Sequence, residues 1–168
     1  MFDQELGQHA DLPCRVLAGR PDDMGARRIP VLYGSYRANR LGIRLARYLV
    51  QERNDRLDDA ELIDARAIDL PMLDRMYNEC PAGTAPPALQ DLAERIRKAD
   101  PFVFVTGAYT RGVQPGLKNL SDQSLEEWLW RPAAIASQSA GRFAGVRAAL
   151  AWWAEAARVQ RQTAGTPS

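Results

Sequence analysis

Residues 29–50 read IPVLYGSYRANRLGIRLARYLV, and this stretch carries one complete strand–turn–helix unit. Ile29–Tyr33 is a short apolar run that ends at Gly34, the pattern of a strand buried on both faces of a parallel sheet. After the turn, LGIRLARYLVQER (41–53) places Ile43, Ala46, Leu49 and Val50 at helical spacing, with Arg44, Arg47 and Gln51 on the solvated side. The alternation then repeats along the chain. DAELIDARAIDLP (59–71) supplies a second strand around Glu61–Ile63, and Pro71 to Pro87 reads as a long loop. PALQDLAERIRKAD (87–100) is a helix with Pro87 in its first turn and Leu89, Leu92, Ala93 and Ile96 in one stripe. PFVFVTG (101–107) is the clearest buried strand, followed by the loop GAYTRGVQPG and a helix over LKNLSDQSLEEWLW (117–130), with Leu117, Leu120, Leu125 and Trp128 apolar. PAAIAS (132–137) is a fourth strand. RFAGVRAALAWWAEAARVQRQ (142–162) is a long final helix, with Phe143, Val146, Leu150, Trp153 and Ala157 on one face. Strands alternating with helices predict βαβ units and a parallel sheet, an α/β fold.

The rest of the composition narrows the chemistry. One domain is expected from 168 residues. Lys+Arg number 22 against 21 Asp+Glu, a net charge of +1, which gives no electrostatic warrant for a nucleic-acid or acidic-membrane partner. Lys98 and Lys118 are the only lysines, so arginine, whose fixed fork suits phosphate and carboxylate, supplies the remaining cations. Cys14 and Cys80 lie too far apart in sequence for a CxxC metal site or a disulfide framework. His9, in the polar N-terminal stretch, is the only histidine, which disfavours Ser-His-Asp and Cys-His hydrolases. No catalytic side chain and no metal ligand is therefore assigned. No membrane span or secretion signal is visible, and a cytoplasmic location is the expectation. Residues 1–28 show neither period and read as a flexible extension, with Met24 just ahead of the first strand; 29–162 form the domain and 163–168 a polar tail.

In a doubly wound sheet, ligands bind beyond the carboxyl ends of the strands where the strand order reverses. Three loops belong there. Gly34-Ser35-Tyr36-Arg37-Ala38-Asn39-Arg40-Leu41-Gly42 leads into a helix N-terminus and adds a hydroxyl, an amide and two guanidiniums around flexible glycines, a set suited to a phosphate. It has neither the Gly-Lys-Ser/Thr of a Walker A loop nor GxGxxG, which leaves a monophosphate such as FMN, or a plain βα turn with solvated arginines. Gly107-Ala108-Tyr109-Thr110-Arg111-Gly112 offers Tyr109 and main-chain N–H and C=O groups to a planar ring, or is simply a surface loop shaped by its glycines and Pro115. Gln138-Ser139-Ala140-Gly141-Arg142 precedes the last helix and could offer N–H groups to the ring's far edge, or an N-cap alone. Trp128, Trp130 and Trp153 read as core or interface residues, and Tyr77 and Cys80 as members of a solvated loop.

The loop Gly34-Ser35-Tyr36-Arg37, the segment ELIDARAIDLPMLDR, the stretch ADPFVFVTGAYTRGVQPGLKNLSD and the segment WLWRPAAIASQSAGRFAG together resemble the NAD(P)H-dependent FMN reductase family, which includes quinone, azo and chromate reductases. The resemblance spans about Ile29 to Ala149 and implies a three-layer flavodoxin-like sheet. By it, Ser35, Arg37, Asn39, Arg40, Leu41 and Gly42 would hold the FMN phosphate. Gly107, Ala108, Tyr109 and Thr110 would face the isoalloxazine ring, with Ser139, Ala140 and Gly141 at its other edge. FMN would pass hydride from NAD(P)H to a small acceptor such as a quinone, azo compound, metal oxyanion or free flavin, and the assembly would be a homodimer or homotetramer. The alternative is a catalytically silent flavin-binding or oligomerisation module.

The chain departs from the family pattern twice. Where the family has Pro- or Gly-Glu-Tyr-Asn, this chain has Gly107-Ala108-Tyr109-Thr110. The family's fifth strand and long loop are missing, so GVRAAL runs directly into AWWAEAARVQRQ, which looks like the family's last helix. The expected sheet order is 2-1-3-4 with an apolar edge at 132–137, and the fused helix is expected to mediate association through Trp152 or Trp153.

Overall fold

A computed structural model describes residues 25–163, with side chains to residue 156. The readings of residues 1–28 as an extension and 163–168 as a tail fall almost wholly outside the described residues, as do Met24, His9 and Cys14. Four parallel strands, β1 (Arg28–Tyr33), β2 (Asp59–Asp64), β3 (Phe102–Gly107) and β4 (Ala133–Gln138), form one sheet in the order 2-1-3-4. The helices are α1 (Gly42–Asn54), the short α2 (Ala65–Ile68), α3 (Pro87–Arg97), α4 (Pro115–Asp122) and α5 (Val146–Thr163). β1 is central yet contains Pro30. Pairing with β3 begins only at Val31, so the missing Pro30 N–H costs nothing on that side.

The alternation of the strands splits the core into two layers. Val31, Tyr33 and Val105 face α1 and pack on Ala46, with Ile43, Leu49 and Val50 partly buried around them. Leu32, Ile63, Phe102 and Phe104 face the other way, against Leu89, Leu92 and Ile96 of α3, Leu117 and Leu120 of α4, and Trp152 of α5. The last helix thus shares a face of the sheet with α3 and α4. On the α1 side of β4, Ala134 is left exposed. Among the described residues no fifth strand pairs with β4.

Several local expectations also change. The helix over 117–130 stops at Asp122, and a 3-10 turn follows at Glu126–Trp128. The Trp128 indole N–H donates to the carbonyls of Ser121 (3.0 Å) and Ser124 (2.9 Å), so a folded-back side chain takes up the carbonyls at the helix end. α5 begins at Val146, not residue 142, and the stripe assigned to one face points outward: Phe143, Val146, Leu150 and Trp153 are all exposed, whereas Ala148 and Trp152 are buried. Trp130 is likewise exposed. The loop after β2 is not simply solvated: Arg97 lies 4.8 Å above the Tyr77 ring, the Tyr77 N–H donates to the Gln123 carbonyl at 2.8 Å, and Cys80 packs partly against the core.

Candidate flavin site

The carboxyl ends of β1, β3 and β4 open onto a cleft of about 410 Å³, within the size range of small-molecule sites. The cradle side is built by the β1–α1 connection. Ser35, Arg37, Asn39, Arg40, Leu41 and Gly42 all line the cleft. No side chain caps α1 at Leu41; the Ile43 and Arg44 N–H groups donate to the Arg40 and Leu41 carbonyls (3.3 and 3.0 Å), which leaves the Leu41 and Gly42 N–H groups for an anion. Gly42 has a steric reason: a Cβ there would collide with the Gln138 amide and lie 2.8 Å from the Tyr33 hydroxyl.

The two arginines differ. Arg37 is exposed, and among the described residues no carboxylate pairs with it. Arg40 is fixed in the scaffold: its guanidinium donates to the Asp64 carboxylate (2.5 Å) and to the Ser35 carbonyl (3.1 Å). The same Asp64 oxygen accepts from the Arg66 N–H at the start of α2. Ser35 is also engaged, with its hydroxyl 2.8 Å from the Tyr109 hydroxyl and 3.4 Å from the Arg37 N–H. One hydrogen bond therefore ties the cradle loop to the ring loop.

The ring loop is a tight hairpin. Tyr109 and Gly112 exchange both main-chain hydrogen bonds (3.1 and 2.8 Å), and the Ala108 N–H donates to the Gln138 carbonyl at 3.4 Å. The Tyr109 N–H and C=O, which sequence reasoning offers to a ring, are thus spent within the loop. Thr110 and Arg111 occupy the left-handed region (φ 46° and 69°), as a two-residue type I′ turn requires, and neither is the Asn or Gly that adopts it cheaply. Gly107, Ala108 and Tyr109 line the cleft with Ser139 and Ala140 from the third loop, whereas Thr110 and Gly141 do not. The type I′ turn carries Thr110 past the rim, and Gly141 lies beyond the Ser139–Ala140 lip.

Tyr33 and Gln114 line the cleft without having been expected, and Gln138, the first residue of the third loop though not assigned a contact, joins them. Tyr33 reads in sequence as strand core, and the two glutamines fall at element boundaries where no period marks them. Burial pushes the Tyr33 phenol above its ordinary pKa, with the nearby polar side chains of Ser35 and Gln114 opposing it.

A mononucleotide fits these features. Backbone N–H groups and Arg37 stand at one end, a loop with an aromatic side chain at the other, and a buried acceptor of Gln114 lies between them without a partner. This defines a flavodoxin-like mononucleotide-binding α/β protein. The chain belongs to the NADPH-dependent FMN reductase family, whose sequence pattern matches residues 27–166. No protein of curated function matches the chain in sequence. Among solved structures it is similar to the flavoenzyme NAD(P)H:(acceptor) oxidoreductase FerB from Paracoccus denitrificans, at 23% identity and a TM-score of 0.67, over 80% of this chain and 73% of that one. An oxidoreductase from Corynebacterium diphtheriae is similar at 10% identity and a TM-score of 0.61, over 82% and 77% of the two chains. The NADH:FMN oxidoreductase EMOB in its apo form is similar at 18% and 0.51, over 80% and 69%. At these identities the structures speak for the fold, and the family match for FMN with NAD(P)H as co-substrate.

Proposed function

We propose that this NAD(P)H-dependent flavin oxidoreductase holds FMN in the cleft between β1, β3 and β4 and reduces a small diffusible acceptor, such as a quinone, an azo compound, a metal oxyanion or free flavin. The observation that carries this reading is the convergence of the α1 N-terminus and Arg37 with the Tyr109 hairpin and the Ser139–Ala140 lip in one cleft. When bound, FMN supplies hydride exchange with the nicotinamide and the acceptor. The chain's own residues bind and orient. Arg37 and the Leu41 and Gly42 N–H groups at the start of α1 take the phosphate, Arg40 holds the loop against Asp64, and the Ser35–Tyr109 hydrogen bond sets the spacing of the two loops. Ala108, Ser139 and Ala140 at the rim are exposed, so the nicotinamide and a small acceptor can approach from solvent. We further infer self-association through the outward stripe of α5.

FMN titration followed by flavin fluorescence tests the site. Arg37→Ala is expected to weaken binding by about 1.5–3 kcal/mol, the range for hydrogen bonds to charged groups. Unchanged affinity would contradict the phosphate assignment. NAD(P)H consumption with a quinone and excess FMN tests turnover.

A further inference from the structure

Gln114 lines the cleft but is only 2% exposed. It stands at the N-cap of α4, yet its side chain caps no backbone N–H there. The amide is turned inward between the two loops. It lines the cleft beside the Tyr33 phenol, and its nitrogen lies 3.0 Å from where a Cβ would stand at Gly107. Gly107 thus keeps open the space the amide occupies. The other end of the amide, Oε1, is buried and has no hydrogen-bond partner.

A buried acceptor without a partner weakens folding, and an apolar side chain of the same size would not. Such a group in a ligand cleft fits one that the ligand completes. The residues that line the cleft with it say which part of the ligand. Tyr33 and Ser35 belong to the cradle side; Gly107 and Tyr109 belong to the ring side. Between a phosphate at the first and a flavin ring at the second lies the ribityl chain, whose hydroxyls are donors. We propose that Gln114 Oε1 accepts a hydrogen bond from a ribityl hydroxyl, and that Gln114 is a specificity-determining residue for flavins carrying that chain. The proposal rests on the FMN reading above.

Titrations of the full chain and of Gln114→Met with FMN, riboflavin and lumiflavin, which lacks the ribityl chain, test it. The expected result is a loss of about tenfold for FMN and riboflavin, the size of one hydrogen bond, with no loss for lumiflavin. The thermal midpoint without flavin should be equal or higher, because the unpaired acceptor is gone. Unchanged FMN affinity, or an equal loss for lumiflavin, overturns the proposal. A lower flavin-free midpoint with losses for all three ligands marks a structural role and also overturns it. A wild-type chain that binds none of the three overturns the FMN reading and the proposal together, and so is distinguished from a failure of Gln114 alone. If Gln114→Met does not fold, the wild-type comparison decides: riboflavin binding tighter than lumiflavin supports the contact, and equal affinities overturn it.

Discussion

Tyr33 ends the central strand, and its phenol lies at the floor of the cleft with burial holding its pKa above the ordinary value of 10.0. The folded chain therefore keeps the phenolic proton at a pH where the unfolded chain has begun to release it. This contribution to stability is complete below about pH 10 and declines as pH climbs through the window between the unfolded and folded values. Denaturant unfolding at about pH 9 and about pH 11 should show a smaller alkaline loss in Tyr33→Phe than in the wild type. Equal losses in both chains would show that Tyr33 is not the group responsible. At this scale the sequence was legible where a residue type announces its chemistry. Ser35, Arg37 and Tyr109 stand out in a Gly-rich turn. Arg40 was legible as a cation but not as the partner of Asp64, because no pattern in the turn shows that its side chain folds back onto the end of β2.

Trp152 and Trp153 show what decides an element's packing. Both stripes of α5 are apolar, and helical spacing alone prefers the one with more large side chains, Phe143, Val146, Leu150 and Trp153. The structure buries the other. Ala148 is small enough to let the helix lie close to the sheet, and Trp152 reaches Phe104 with ring centroids 4.8 Å apart. Trp152→Ala should therefore cost about 3–5 kcal/mol in denaturant unfolding, as for other buried aromatics. A loss within about 0.5 kcal/mol, typical of surface sites, would refute its place in the core. The premature end of α4 has the same origin: no period in LKNLSDQSLEEWLW reports that the Trp128 indole folds back onto the carbonyls of Ser121 and Ser124.

At the scale of the molecule, strand number was legible because each apolar run is short, bounded and followed by a helix, and the order 2-1-3-4 followed from the family resemblance. The face taken by the last helix was not legible, since it depends on how the chain leaves β4 rather than on the helix's own residues. Its consequence is a surface with Phe143, Leu150 and Trp153 on one side, each at least 60% exposed, and an open β4 edge beside it. Apolar patches and unpaired edges of this kind favour association. Size-exclusion chromatography should find the wild type larger than a monomer and Trp153→Ala shifted toward the monomer, with an unchanged elution volume counting against this interface. The Arg40–Asp64 pair bears on a different property, the speed of ligand capture. With Asp64 2.5 Å from the Arg40 guanidinium, the two charges largely cancel at a distance, and the chain as a whole carries only +1. Arg37 alone projects a field from the cradle, and over a Debye length of about 8 Å salt extinguishes most of it. On the proposed reading a phosphate would be met by shape and hydrogen-bond donors rather than drawn in, and stopped-flow mixing with FMN should find an association rate that varies little with ionic strength.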